Sequence, residues 1–130
     1  MTMNYKLAIL FTVAMAALFT AGPTLAHHSS AAYDLDHPLT LQGTVTSFEW
    51  SNPHVFIHVD VKDDKGNVQG WRVEGNSPNM LSRVGWNKDM IKAGDSLEVT
   101  GAPAKNGNKI LRLNSIKLAN GQKFDGQGFK

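Results

Sequence analysis

HVFIHVDV, residues 54–61, alternates between two faces without a break. Val55, Ile57, Val59 and Val61 fall on one face of an extended chain, and His54, Phe56, His58 and Asp60 on the other. That period of two predicts a β-strand with one buried face. Such a strand needs partners, and the text on both sides supplies them. Ahead of it, LTLQGTV puts Leu39, Leu41, Gly43 and Val45 on one face. The apolar parity then slips to Phe48 and Trp50, which predicts a bulge or bend near Thr46 and Ser47. Ser51-Asn52-Pro53 ends the strand. Behind it, the DDKGN turn leaves Gly66 free for positive φ, and VQGWRVEG returns with Trp71 and Val73 inward. Matching apolar faces across this hairpin sets His58 opposite Arg72 or Glu74, depending on register.

SPNMLSRVG then predicts a short helix within residues 78–84. Ser77 is its N-cap, Pro78 its first helical residue and Gly85 its end. Met80, Leu81 or Val84 would plug one end of the fold. SLEVTG and NKILRLNSIKL are a fourth and a fifth strand, with a second parity slip between Leu113 and Ile116. Three strands, a helix and two strands is the order of an all-β, five-stranded OB-like barrel. A long first strand that bends to pair on both sides accounts for its glycine and its bulge. A six-stranded barrel or an open sandwich is the alternative. The expected core is Leu41, Val45, Val55, Ile57, Val59, Trp71, Val73, Leu97 and Val99. The barrel is expected over residues 39–118, after an N-terminal arm, 27–38. The glycine-rich end, 119–130, is expected to be a flexible tail.

The first 26 residues read differently. Lys6 precedes an apolar run over 7–21, and Thr24-Leu25-Ala26 closes the segment. This is the order of a secretory signal peptide cut after Ala26. The run is short of the ~20 residues of a membrane span, so no stable span is expected after cleavage. An uncleaved anchor is the alternative. Losing Lys6 lowers the formal charge from +2 to about +1. With no long basic stripe, nucleic acid is disfavoured as a partner. The chain has no cysteine, hence no disulfide and no thiolate metal site. An exported domain of this kind suits a bacterial periplasm.

Cleavage there makes His27 the first residue, with a free amine and an imidazole side by side. The amine's ordinary pKa of about 7.7–8.0 lets a metal displace its proton at modest cost. His28 adds a second ring. Imidazole suits copper, zinc and nickel, and copper heads the affinity order. The plain alternative is a pair of histidines facing water near a chain end. His54 and His58 lie about 13 Å apart along an extended strand. Each reaches a metal only ~6 Å from its Cα, so the pair alone makes a poor site. His54, fixed behind Pro53, is the better third nitrogen. His58 beside Glu74 reads as a ring oriented by a carboxylate or as an ordinary cross-strand contact. His37, before Pro38, is expected at the surface.

A second reading is a module that binds a peptide, a saccharide or an exported partner protein. OB barrels bind on the outer face of strands two and three. That face here carries Phe56, Asp60, Arg72 and Glu74, with Trp50 nearby and Phe56 as the aromatic platform. Neither G-x-S-x-G nor H-E-x-x-H occurs, so the chain reads as a binding protein and not as an enzyme.

AHHSSAAYD, TLQGTVTSFEWSNPHVFIHVDV, Gly85-Trp86 and IKAGDSLEVTGAPAKNG together resemble a family of small exported bacterial proteins classed as a domain of unknown function. The most specific pieces are His-His-Ser beside the signal and Glu-Trp-x-Asn-Pro-His. The resemblance covers nearly the whole mature chain. It implies export and an OB-like barrel, and it carries no activity.

Overall fold

The computed structural model describes residues 28–127. The expected signal segment and His27 lie outside them. The chain divides after Ala31 into two units. The described part of the first is a single helical turn, α1 (His28–Ala31). The second holds β1 (Leu39–Glu49), β2 (Phe56–Lys62), β3 (Val68–Glu74), α2 (Pro78–Ser82), β4 (Ser96–Pro103), β5 (Ile110–Leu118) and β6 (Lys123–Asp125).

β1 pairs antiparallel with β2 on one side and β4 on the other. β2 pairs with β3, and β4 with β5, also antiparallel. A parallel pairing of β3 with β5 closes the ring. The result is a closed five-stranded OB-like barrel with α2 between β3 and β4. Two bulges let the strands bend. Val45 faces Val59 but Ser47 faces His58, so Thr46 is the extra residue and the inward parity moves to Phe48. Across β4 and β5, Thr100 faces Ser115 but Gly101 faces Leu113, which leaves Asn114 over. A Cβ at Gly101 would run into the Arg112 carbonyl, so only glycine permits this close approach.

The interior is filled by Val45, Val55, Ile57, Val59, Val73, Leu97 and Val99, with Leu111, Leu113 and Ile116 from β5. α2 closes one end through Leu81, which has no exposed surface. The Ser77 hydroxyl accepts from Met80 N at 3.4 Å. Gly85, at φ 94°, turns the chain away from the helix. Met80 and Val84 are half-buried. Leu41 and Trp71, expected in the core, are also only half-buried. Trp71 precedes the Arg72–Glu74 stretch where β5 closes on β3, so its ring lies at the barrel's margin under the Lys109 ammonium, 5.0 Å from its centroid.

The chain's last described residues correct the expectation of a flexible tail. β6 pairs with Ser115–Lys117 of β5. Gly126 N donates to Asn114 O at 2.8 Å, and Asn76 Nδ2 donates to Gln127 O at 2.7 Å. Trp86, 2% exposed, donates its indole N–H to Asp125 O at 2.7 Å and meets Phe124 edge-on. Polar, glycine-rich composition predicts fraying only where the backbone has no partners. Here it is paired through residue 127.

Candidate functional site

Of the residues singled out by chemistry, His54, Phe56, His58, Arg72 and Glu74 share the outward face of β2 and β3 and the segment before β2. The segment before β2 is fixed first. Val55 N donates to Asn76 O, and Gly75 N donates to Val55 O, so the hairpin continues past the named strands. This pins His54 beside β3, where its Nδ1 stands 2.9 Å from Gly75 O. A carbonyl only accepts, so Nδ1 carries the proton and, in the neutral ring, Nε2 holds the lone pair. Glu74 Oε1 stands 3.6 Å from the same nitrogen.

Glu74 is held from its other side. Its Oε2 accepts from the Tyr33 hydroxyl at 2.6 Å. Tyr33 forms a bridge with Ala104, and flanking bonds join Asp34 N to Pro103 O and Lys105 N to Ala32 O. The expected arm is therefore already part of the barrel at Tyr33. Burial pushes the Tyr33 phenol up to about 12, and the Glu74 hydrogen bond and charge add to it. Arg72 and Arg112 pull the other way with smaller effect.

One pair toward the middle of β2 differs from the sequence reading. His58 stands opposite Arg72, one of the two expected registers. Its carboxylate partner is Glu49 of β1, at 2.9 Å from Nε2, and not Glu74. Glu49 of β1 and Glu74 of β3 both stand opposite Phe56, each one diagonal step from His58, but the Glu74 carboxylate already accepts from the Tyr33 hydroxyl and lies beside His54, which leaves Glu49 for His58. Arg72 is drawn over the Phe56 ring, 5.1 Å from its centroid, so Phe56 is half-covered rather than an open platform. Trp50 packs against Phe48 at 5.8 Å and adds to the core's edge. Asp60 is exposed, opposite Thr44 and Gly70, and apart from the His54–Glu74 cluster.

His54 and His58 are thus held by different carboxylates. Among the described residues, no group of three or more His, Cys, Asp or Glu is arranged to hold a metal ion. His28 lies in α1, and His27 is outside the described residues. His37 is exposed and contacts Asp34 at 3.1 Å. That hydrogen bond holds the Asp34 carboxyl below its usual range. Sequence reasoning missed Tyr33 and Lys109. Tyr33 is the one Phe, Trp or Tyr between residue 27 and the start of β1, and that isolation was the available cue.

A family model described as a family of unknown function (DUF6152) matches residues 15–112, which includes β1 to β4 and the start of β5. No curated protein matches the chain. No helix among the described residues is long and apolar enough to cross a membrane.

Proposed function

The chain belongs to the DUF6152 family of unknown function, and from that footing we propose that it is an exported small binding protein that holds copper through His27 and His28. The observation that carries the reading is the doubled histidine immediately after the small-residue end of the signal-like segment. Cleavage after Ala26 gives His27 two donors on one residue, which costs less ordering entropy than two donors from separate residues. His28 adds a ring, and copper(II) binds such nitrogen sets more tightly than the other common divalent ions. The periplasm is the proposed location.

The test is a copper(II) titration of protein beginning at His27, beside protein with one alanine added in front. The added residue turns the amine into an amide and removes a ligand. Affinity lower by about tenfold or more is expected for the extended form, a difference of about 1.4 kcal/mol. Equal affinities would show that the amine is not a ligand. Mass spectrometry of the exported protein checks the cleavage position.

A second reading, binding of a peptide, saccharide or partner protein on the β2–β3 face, is favoured by one observation. Gly75 O and Glu74 hold His54 Nδ1, which leaves Nε2 as an available acceptor on the outward face that also carries Phe56. Ligand-induced NMR shifts confined to His54, Phe56, His58 and Arg72 would select it.

A further inference from the structure

Asp60, expected on one ligand-binding face with Phe56, Arg72 and Glu74, instead lines a groove whose lining includes none of those three. It runs over the outer surface of β2, β1, β4 and β5 and has a volume of about 770 Å³. That lies within the ~300–1,000 Å³ typical of small-molecule sites. Register fixes its rows. Thr44 stands opposite Asp60 on one side and Ser96 on the other. Gln42 stands opposite Glu98, which stands opposite Lys117. Lys62 and Val68 bound the β2–β3 end, and Leu118 the β5 end.

The chemistry of this lining is selective. Asp60 and Glu98 balance Lys62 and Lys117, so a charged ligand gains no net attraction. Donors and acceptors alternate across the floor. Glu98 Oε2 is oriented by Gln42 Nε2 at 3.3 Å and by Lys117 Nζ at 3.9 Å, which leaves Oε1 for a ligand. Asp60 is exposed, and its Oδ1 lies 3.9 Å from where a Cβ would stand on Gly70, so the missing side chain keeps space open beside it. Val68, 57% exposed, offers an apolar contact at one end. The floor strands β1, β2 and β4 are paired on both edges, which leaves no free edge there for a peptide to join as a strand. A ligand with its own donors and acceptors, no net charge and some C–H surface matches this lining. We propose that this groove binds a neutral oligosaccharide through its hydroxyls.

The proposal is independent of the copper reading, and the experiment keeps the two apart. ¹⁵N-labelled protein beginning at His27 is titrated with maltotetraose, cellotetraose and N-acetylchitotetraose, and with trialanine as a zwitterionic control. Saturable amide shifts at Thr44, Asp60, Ser96 and Glu98 are expected with at least one of the sugars. Asp60→Asn should weaken that binding by about tenfold, as expected for the loss of hydrogen bonds to a charged acceptor. Ser96→Trp, at an exposed position, fills the groove and should abolish binding while the spectrum stays dispersed. The alanine-extended protein should bind the sugar unchanged. Shifts with none of the three sugars, shifts with trialanine alone, shifts centred on Phe56 and Arg72, or binding that survives Ser96→Trp would each overturn the proposal.

Discussion

The two segments that flank the barrel in the chain are tied to it by different chemistry. The C-terminal segment is held by neutral groups. The Trp86 indole donates to Asp125 O, the Asn76 amide to Gly126 O and Gln127 O, and the Gln127 amide to Leu113 O and Asn114 Oδ1. The segment entering β1 is held at Tyr33, whose side-chain partner is the ionisable Glu74. Neutral amide and indole bonds keep their strength from acid to alkali. A phenol on a carboxylate keeps its own only while the phenol retains its proton. The C-terminal clasp should therefore contribute at every working pH, and the Tyr33 tie should be conditional.

The largest expected effect lies in the clasp. Trp86→Ala removes a nearly fully buried side chain, leaves a cavity beside Phe124 and strips Asp125 O of its donor. A cost of about 3–5 kcal/mol is expected in urea unfolding, from a large-to-small core change. If the cost were below about 1 kcal/mol, the clasp would be an accessory rather than part of the core.

That clasp was the least legible part of the fold in the sequence. Alternation in β2 located the hairpin, the interior and the outward set at once, because one strand buried on one face reports its own orientation. The parity slips at Thr46 and Asn114 were legible for the same reason. The tail carries no such signal. Its order comes from Trp86, Asn76 and the carbonyls of β5, each remote in sequence, and composition says nothing about remote partners. The same limit applied at the site. The outward positions of His54, Phe56, His58, Arg72 and Glu74 followed from period and register. The pairing of His58 with Glu49 required knowing that the bulge brings β1 alongside. Tyr33 needed a contact over forty residues.

A smaller change sharpens the comparison from within the clasp. Gly126 is buried against Leu113, and a Cβ there would overlap that side chain. Leu113 is 2% exposed and has little room to retreat. Gly126→Ala should cost about 1–3 kcal/mol as overpacking. Thermal unfolding of the variant checks it. An unchanged Tm would mean that β6 and its following turn can lift away without disturbing the barrel.

The smallest effect, and the one that separates the two ties, is Tyr33→Phe. The ring still packs, and only the hydroxyl bonded to Glu74 is lost. Near neutral pH this should cost about 1.5–2 kcal/mol, the lower part of the range for a hydrogen bond to a charged group. The folded phenol is pushed up to about 12 from its ordinary 10.0. Between those values the unfolded chain has lost the phenolic proton and the folded chain keeps it. Unfolding then releases a proton, so the tyrosine's contribution, complete below about pH 10, is lost as pH rises toward about 12. The phenylalanine variant has no such proton. Contributions common to the two proteins cancel in the difference. The stability gap between the two proteins, measured by urea unfolding from pH 8 to 11.5, should be constant at first and narrow above pH 10. The gap between Trp86→Ala and the unaltered protein should not narrow over the same interval, because no proton of the indole or the carbonyl is exchanged there. A Tyr33→Phe gap that stays constant to the alkaline end would show that neither burial nor Glu74 holds the phenol's proton in the folded chain, and the contrast between the two ties would fail.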